Sequence, residues 1–227
     1  ALSVDEAHYA LYGALPDWSY FDHPPMVGWW QAVALRLSDQ EWALRLWPLF
    51  ASLLICWLLY RLTFALFPDA SPWAGWWAVA LAQSALMMQL LAMALTPETP
   101  LLLFALAAAW WLWRALRTDR LSDWLGVGLL FGLAGLSKYT AITLLATALL
   151  ALHSERRWRR LRGSGPWLAA GLALLLIAPV LYWNAQHDGL SFRYQLGHGL
   201  PETEWRWLRW FAAQGAQLFA YAPGVLI

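Results

Sequence analysis

Charged residues are scarce in this sequence. Asp, Glu, Lys and Arg make up 13% of its 227 residues, whereas hydrophobic residues make up 61%. A soluble domain has about 25% charged and about 45–50% apolar residues. The composition therefore excludes an ordinary soluble domain and indicates a helical membrane protein with several spans. The 19 Trp agree with this, because the Trp ring favours the interface between bilayer and water.

Cysteine and the short motifs of common soluble enzymes are almost absent. The single cysteine, Cys56, lies inside an apolar run, so it cannot form an internal disulfide and is interpreted as a small core residue. No G-x-S-x-G, Walker A or C-x-x-C sequence occurs, which disfavours the common hydrolase and nucleotide-binding functions. Arginines cluster between the apolar runs, so nucleic acid is not an expected partner.

An initiating Met and an apolar leader are also lacking. The chain begins with ALSVDEAHYALYG and ends on FAAQGAQLFAYAPGVLI, which has the pattern of a helix cut partway. We therefore expect a fragment of a longer membrane protein, truncated at both ends, in which residues 1–227 form one transmembrane module.

Apolar runs predict where the chain crosses the membrane. Five are clear, at 42–66, 73–95, 100–116, 121–137 and 166–184, with a sixth candidate at 139–152 and a seventh beginning near 205. The fourth run and the sixth candidate are shorter than the roughly 20 residues of a span, so they are predicted to form a helical hairpin. Residues 1–41 are predicted to be a polar outer loop with an interfacial helix at 24–37.

The arginine-rich loops predict the orientation of these spans. Loop 114–120 contains three Arg and loop 156–162 contains five, so both are expected on the cytoplasmic side. The unusual polar stretches then fall together on the opposite face: DEAHY (5–9), SYFDHPP (19–25), TPET (96–99), SKYT (137–140) and the loop 184–199. Such a one-sided gathering is what a site acting at the membrane surface requires.

Carboxylates in two of these stretches have both a chemical and a structural interpretation. Asp5 and Glu6 are adjacent and could supply a general base or a metal ligand, but they could equally cap the start of a helix. Glu98 lies in the short TPETP loop, where a solvated residue without a chemical role is as natural an interpretation.

Asp22 and His23 precede a double proline. Pro24 and Pro25 favour an extended backbone before the predicted interfacial helix, so the pair is held rigidly. His23 could bind a phosphate with Asp22 orienting its ring. Asp22 could instead be a cap ahead of a helix with Pro in its first turn.

Lys138 is the only lysine, and it lies inside the apolar sequence GLAGLSKYTAITLL. A lysine within a membrane is costly unless its long side chain reaches the interface, and its natural partner there is an anion such as a lipid phosphate. Arg193, in the loop 184–199, is a candidate phosphate clamp. His187 and His198 in the same loop match no strong zinc pattern.

Four stretches, taken in order, resemble a known family. DEAHYALYGALPDWSYFDHPPMVGWW, TPETPLLLF, GLAGLSKYTAITLL and PVLYWNAQHDGLSFRYQLGHG are similar to bacterial relatives of the dolichyl-phosphate-mannose protein mannosyltransferases. These form glycosyltransferase family 39, which also includes the lipid A aminoarabinose transferases. The resemblance covers nearly the whole chain. It implies the GT-C fold, an all-α integral membrane bundle with extracytoplasmic active-site loops.

The resemblance also implies an activity. Such enzymes move a hexosyl or pentosyl group from a polyprenyl-phosphate carrier to an acceptor with inversion, here on the periplasmic face of a bacterial inner membrane. The acceptor, whether lipid, glycan or protein, stays open. No cofactor is required, although Asp5, Glu6 and Glu98 could hold Mg²⁺ or Mn²⁺. A polyprenyl-lipid transporter without chemistry and a catalytically silent scaffold are the alternative functions.

Individual roles follow from the matching motifs. DEAHY matches the family's catalytic acidic motif, so the resemblance implies that Asp5 is the base with Glu6 beside it. Aminoarabinose transferases have Lys before Pro where this chain has His23, which leaves the charge of that phosphate contact open. Lys138 matches a basic residue after a Gly-rich helix. The full set of expected phosphate or substrate contacts is Tyr9, Asp22, His23, Glu98, Lys138, Tyr139, Arg193 and His198.

Overall fold

The structure, a computed structural model, describes residues 2–199 and 207–221, and no strand occurs among them. Its α-helices are α1 Val4–Ala14, α2 Met26–Leu37, α3 Glu41–Leu44, α4 Leu46–Leu66, α5 Ala74–Ser84, α6 Leu86–Met93, α7 Glu98–Thr118, α8 Leu121–Ser137, α9 Thr143–Ser154, α10 Gly165–Gln186, α11 Leu190–Gly199 and α12 Trp207–Tyr221. Short 3-10 turns at Tyr139–Ile142 and Trp158–Arg162 precede α9 and α10. The predicted all-α class is thus confirmed for the described residues.

Three helical segments are long and apolar enough to cross a membrane. They are Glu41–Leu66, Glu98–Thr118 and Gly165–Gln186, and they confirm the runs predicted at 42–66, 100–116 and 166–184. The fourth run and the sixth candidate are present as shorter apolar helices, α8 and the segment Tyr139–Ser154. The run that begins near 205 is helical from Trp207 to Tyr221 within the described part of the chain.

The run predicted as one helix at 73–95 is broken. Helices α5 and α6 meet at Ala85 with a bend of 80°. Neither Pro nor Gly marks the break; polar side chains occupy the freed backbone groups instead. The Gln89 amide donates to the Gln83 carbonyl at 2.5 Å, and the Ser84 hydroxyl donates to the Leu81 carbonyl at 2.7 Å. Such local satisfaction lets a non-helical residue persist in an apolar stretch.

The core of the bundle is formed by α8 between α7 and α10. The Gly-rich face of α8 allows this close packing, because a Cβ added at Gly128 would lie 2.7 Å from the Ala169 Cα in α10. Leu112, Val127 and Ala169 are buried beside this contact.

Both arginine-rich loops lie at one end of the bundle. Arg160 forms an ion pair with Asp119, and Arg114 pairs with the fully buried Asp123 at 3.0 Å. Since α7 runs from Glu98 to Thr118, about 30 Å of helix separates this arginine end from the polar end.

Residues 1–41, predicted as an outer loop with one interfacial helix, contain two packed helices. The expected helix at 24–37 is present as α2, whereas the DEAHY stretch is itself helical, in α1. The two helices touch closely, since a Cβ at Gly13 would lie 2.5 Å from the Gln31 Cβ. The acidic motif is therefore presented from a rigid helix.

Candidate active site

The five polar stretches identified in the sequence converge at one end of the bundle. Lys138 pairs with Glu98, and the Tyr139 hydroxyl lies 3.3 Å from the Ser19 hydroxyl. From α11, Ser191 donates to the Tyr20 carbonyl and Gln195 donates to the Asp22 carbonyl. The predicted one-sided gathering is thus confirmed by direct contacts.

Asp22 is buried and binds His8, not its neighbour His23. Its carboxylate accepts from the Tyr12 hydroxyl at 2.5 Å and lies 3.1 Å from His8 Nε2. Burial and the Asp22 hydrogen bond raise the pKa of Tyr12 well above its usual value, so the phenol stays protonated and donates. Because a carboxylate oxygen accepts, the contact is one in which His8 Nε2 donates to Asp22. The prediction that Asp22 orients His23 is therefore replaced by an Asp22–His8 pair.

Asp5 and Glu6 are adjacent in sequence but differ in environment. Glu6 closes a capping box with Ser3 at the start of α1 and accepts from Arg45 Nε at 2.8 Å. The Arg45 hydrogen bond holds the pKa of Glu6 below its usual value. Asp5 is exposed, and within the described part of the chain it has no hydrogen bond or ion pair. Of the two, Asp5 is the carboxylate available to a substrate.

Glu98 and Lys138 form an ion pair where the start of α7 meets the end of α8. The Lys138 side chain is 22% exposed and that of Glu98 42%, so the pair is partly buried. Lys138 is the first residue after α8 and has an extended backbone. The ammonium has three donors, so pairing with Glu98 leaves others for an anion.

His23 lies close enough to this pair to sense its charges. Burial lowers the pKa of His23 below its usual value; Asp22 and Glu98 act against that shift, and Lys138 adds to it. Its Nδ1 atom is buried without a hydrogen-bond partner among the described residues. His23 is therefore neutral at neutral pH, unlike the lysine that aminoarabinose transferases have before Pro in this loop.

Tyr9 lies among the acidic side chains of the cluster. It is buried, and burial together with the charges of Asp22, Glu98 and Asp5 raises the pKa of its phenol well above its usual value. Its ring stands 6.0 Å from that of His23, and no described residue hydrogen-bonds its hydroxyl. Tyr9 is thus a protonated donor within the predicted site.

The remaining predicted contacts are placed less uniformly. Tyr139 lies inside the cluster, where the Asn184 amide donates to its hydroxyl at 3.5 Å and the Phe192 ring packs on it. Arg193 is on α11, with an exposed side chain that forms no ion pair with a described residue. The side chain of His198 lies outside the described residues. Among the residues that are described, no three His, Cys, Asp or Glu side chains group closely enough to hold a metal ion.

An apolar cavity of about 830 Å³ begins beside this cluster. It lies between α8, α9 and α10, and Lys138, Tyr139 and Gln195 line its polar end. The rest of its wall is made of residues such as Phe131, Ala173 and Ile177. A single ligand with an anionic head and a hydrocarbon tail would match both parts.

A family comparison agrees with this arrangement. The model of the family described as dolichyl-phosphate-mannose-protein mannosyltransferase matches residues 22–183. The chain belongs to this mannosyltransferase family. The match includes His23, Glu98, Lys138 and Tyr139, while Asp5 lies before it.

The similarity to one curated relative extends over nearly the whole chain. A protein named lipid A galacturonosyltransferase RgtD, from Rhizobium johnstonii, is 29% identical over 231 residues, which are 98% of this chain and 46% of the relative. The chain thus spans less than half the length of that relative. No solved structure matches it significantly.

His8, Asn184 and Gln195 are among the cluster residues that the sequence did not predict. His8 stands three positions after Asp5, a spacing that places both on one face of α1, so the DEAHY motif did contain a signal. Asn184 and Gln195 gave no comparable signal, because their partners Tyr139 and Asp22 lie far away in sequence.

Proposed function

We propose that the chain carries the active site of a membrane glycosyltransferase, which moves a sugar from a polyprenyl-phosphate carrier to an extracytoplasmic acceptor with inversion. The observation that supports this best is the position of Lys138, between the polar cluster and the apolar cavity. A carrier lipid could place its chain in the cavity and its phosphate at the ammonium. The family membership and the named galacturonosyltransferase relative support sugar transfer as the reaction class.

The leaving phosphate needs donors that are already in position. Lys138, oriented by Glu98, supplies the positive charge, and preorganised donors of this kind stabilise charge that develops in the transition state. His23 is a neutral contact in this proposal, because burial lowers its pKa. The exposed guanidinium of Arg193 is free to approach the phosphate from α11.

The acceptor must lose a proton as it attacks the sugar. Glu6 and Asp22 are each held by other described side chains, and Glu98 by Lys138. Asp5 alone of these four predicted carboxylates has no such partner, so we assign it as the base. Attack assisted by one base, on the face opposite the departing phosphate, inverts the configuration. The arginine end then faces the cytoplasm, and the active site the periplasm.

The test uses the full-length protein in membranes with a radiolabelled polyprenyl-phosphate sugar pool. We expect Asp5→Asn to abolish transfer while donor binding persists, and Lys138→Gln to weaken donor binding. Asp39→Asn is the matched control, since Asp39 is an exposed aspartate in the loop after α2, outside the cluster. Repeating the assay with EDTA tests for a divalent cation.

Two results would refute the proposal. Label that reaches the other leaflet without leaving its carrier would identify a transporter. A protein that binds the donor but neither transfers its sugar to any acceptor supplied nor moves the lipid across the membrane would be a silent scaffold. Equal transfer by Asp5→Asn and wild type would remove Asp5 from the chemical step but leave the activity in place.

A further inference from the structure

The arginine end of the bundle holds more positive charge than its own acids neutralise. Loops 114–120 and 156–162 carry eight arginines, against Asp119, Asp123 and Glu155 nearby in sequence. Of these arginines, Arg114 and Arg160 are used in ion pairs. Four others in the second loop are exposed and form no ion pair within the described ranges: Arg156, Arg157, Arg159 and Arg162.

This array is fixed in place. Arg160 ties the second loop to the first, through Asp119 and through the Leu116 carbonyl. The Asp119 carboxylate also accepts from the Trp124 indole at 2.9 Å. Arg159 and Arg162 therefore project from a braced 3-10 turn, Trp158–Arg162, and Arg156 and Arg157 directly precede it, so little ordering is needed when an anion binds.

The apolar cavity also reaches this end. Its wall runs along α8, α9 and α10 from Lys138 to Leu161, Pro166 and Trp167, so its far end lies beside the arginine loop. Trp158 and Trp167 are exposed there, and the Trp167 indole donates to the Leu161 carbonyl at 2.9 Å. Exposed Trp of this kind marks the level of lipid headgroups.

We propose that the arginine end is a binding site for an anionic phospholipid, with its phosphate on the exposed arginines of loop 156–162 and an acyl chain in the adjoining end of the cavity. Guanidinium groups match phosphate geometry through paired hydrogen bonds. The apolar wall beside them selects a lipid over a free phosphate. Helix α8, whose 17 residues run from the arginine end to Lys138, spans about 25 Å, so this site lies at the opposite end of the cavity from the proposed donor phosphate.

The test compares lipids on the purified full-length protein in neutral detergent. Phosphatidylglycerol and phosphatidylcholine with identical acyl chains are added, and retained lipid is measured by native mass spectrometry. We expect selective retention of phosphatidylglycerol. Arg159→Gln/Arg162→Gln should weaken it about 30-fold, since each basic residue near an anionic surface contributes a factor of about 5 and the two factors multiply. Arg36→Gln/Arg209→Gln, which removes two exposed arginines elsewhere, is the matched control and should retain the lipid.

Several outcomes would overturn the proposal. Equal retention of both lipids, or unchanged retention in Arg159→Gln/Arg162→Gln, would remove the arginine site. Retention of glycerol phosphate equal to that of phosphatidylglycerol would show that the acyl chain plays no part. If the double variant does not fold, wild-type retention at low and high salt decides, because a phosphate–arginine contact must weaken as salt rises.

Discussion

Replacing Gly128 by Ala should separate the two central helices. A Cβ at this position would lie 2.7 Å from the Ala169 Cα, and closer still to the Ala169 carbonyl oxygen. Carbon atoms normally pack at about 3.5–4.0 Å, so α8 and α10 must move apart by about 1 Å. A gap of that size forfeits about a quarter to a half of each dispersion contact along the interface. Overpacking of this kind costs about 1–3 kcal/mol.

Gly171→Ala is the matched control. Gly171 is also inside a helix of this pair, yet nothing lies within 4 Å of its added Cβ. Both substitutions gain about 1 kcal/mol of helix propensity, so this gain cancels in the comparison. We expect Gly128→Ala to be less stable than Gly171→Ala by about 2 kcal/mol, or about 4–8 °C in apparent melting temperature. The melting curves are measured in detergent by size-exclusion fluorescence. Equal curves for the two variants would refute the close backbone contact.

Three further predictions concern the polar end. Glu6→Gln removes the pair with Arg45. Because the pKa of Glu6 is lowered in the fold, the pair stabilises the protein above about pH 4.5, and this stabilisation is lost as pH falls through the folded-state pKa. The melting temperature should therefore fall less steeply with acid in the variant than in wild type. Burial lowers the pKa of His23, so wild type should lose stability as pH falls below about 6.5, and a His23→Gln variant with the same pH slope would contradict this. A double-mutant cycle with Lys138→Met and Glu98→Gln should give a coupling of about 1 kcal/mol in unfolding free energy, because the pair is partly exposed. A coupling of zero would mean that the two side chains do not meet.

Much of the fold was predictable because a bilayer imposes simple requirements. A span must be apolar over a set length, and this requirement alone located Glu41–Leu66, Glu98–Thr118 and Gly165–Gln186. The arginine-rich loops fixed the alternation of chain direction, which in turn brought the polar stretches to one end. The break at Ala85 was not predictable, because side-chain amides, not Pro or Gly, satisfy its backbone.

The candidate site divides in the same way. The sequence by itself predicted that one face of the membrane carries Asp5, His23, Glu98 and Lys138, because the alternating direction of the spans brings these segments to the same side. Only the tertiary structure decided which groups meet. Asp22 binds His8 and not the adjacent His23, because the packing of α1 on α2 brings His8 within 3.1 Å of that carboxylate.

The same division between sequence and tertiary structure holds for Lys138. Its apolar sequence context predicted that it needs an anionic partner. Glu98, which is 40 residues away, is one such partner. The two side chains meet only because of the way α7 and α8 cross. The crossing is set by glycine contacts such as those along α8, which no local pattern of charge encodes. Length and composition therefore determined the spans and the face of the site, while helix packing decided its partners.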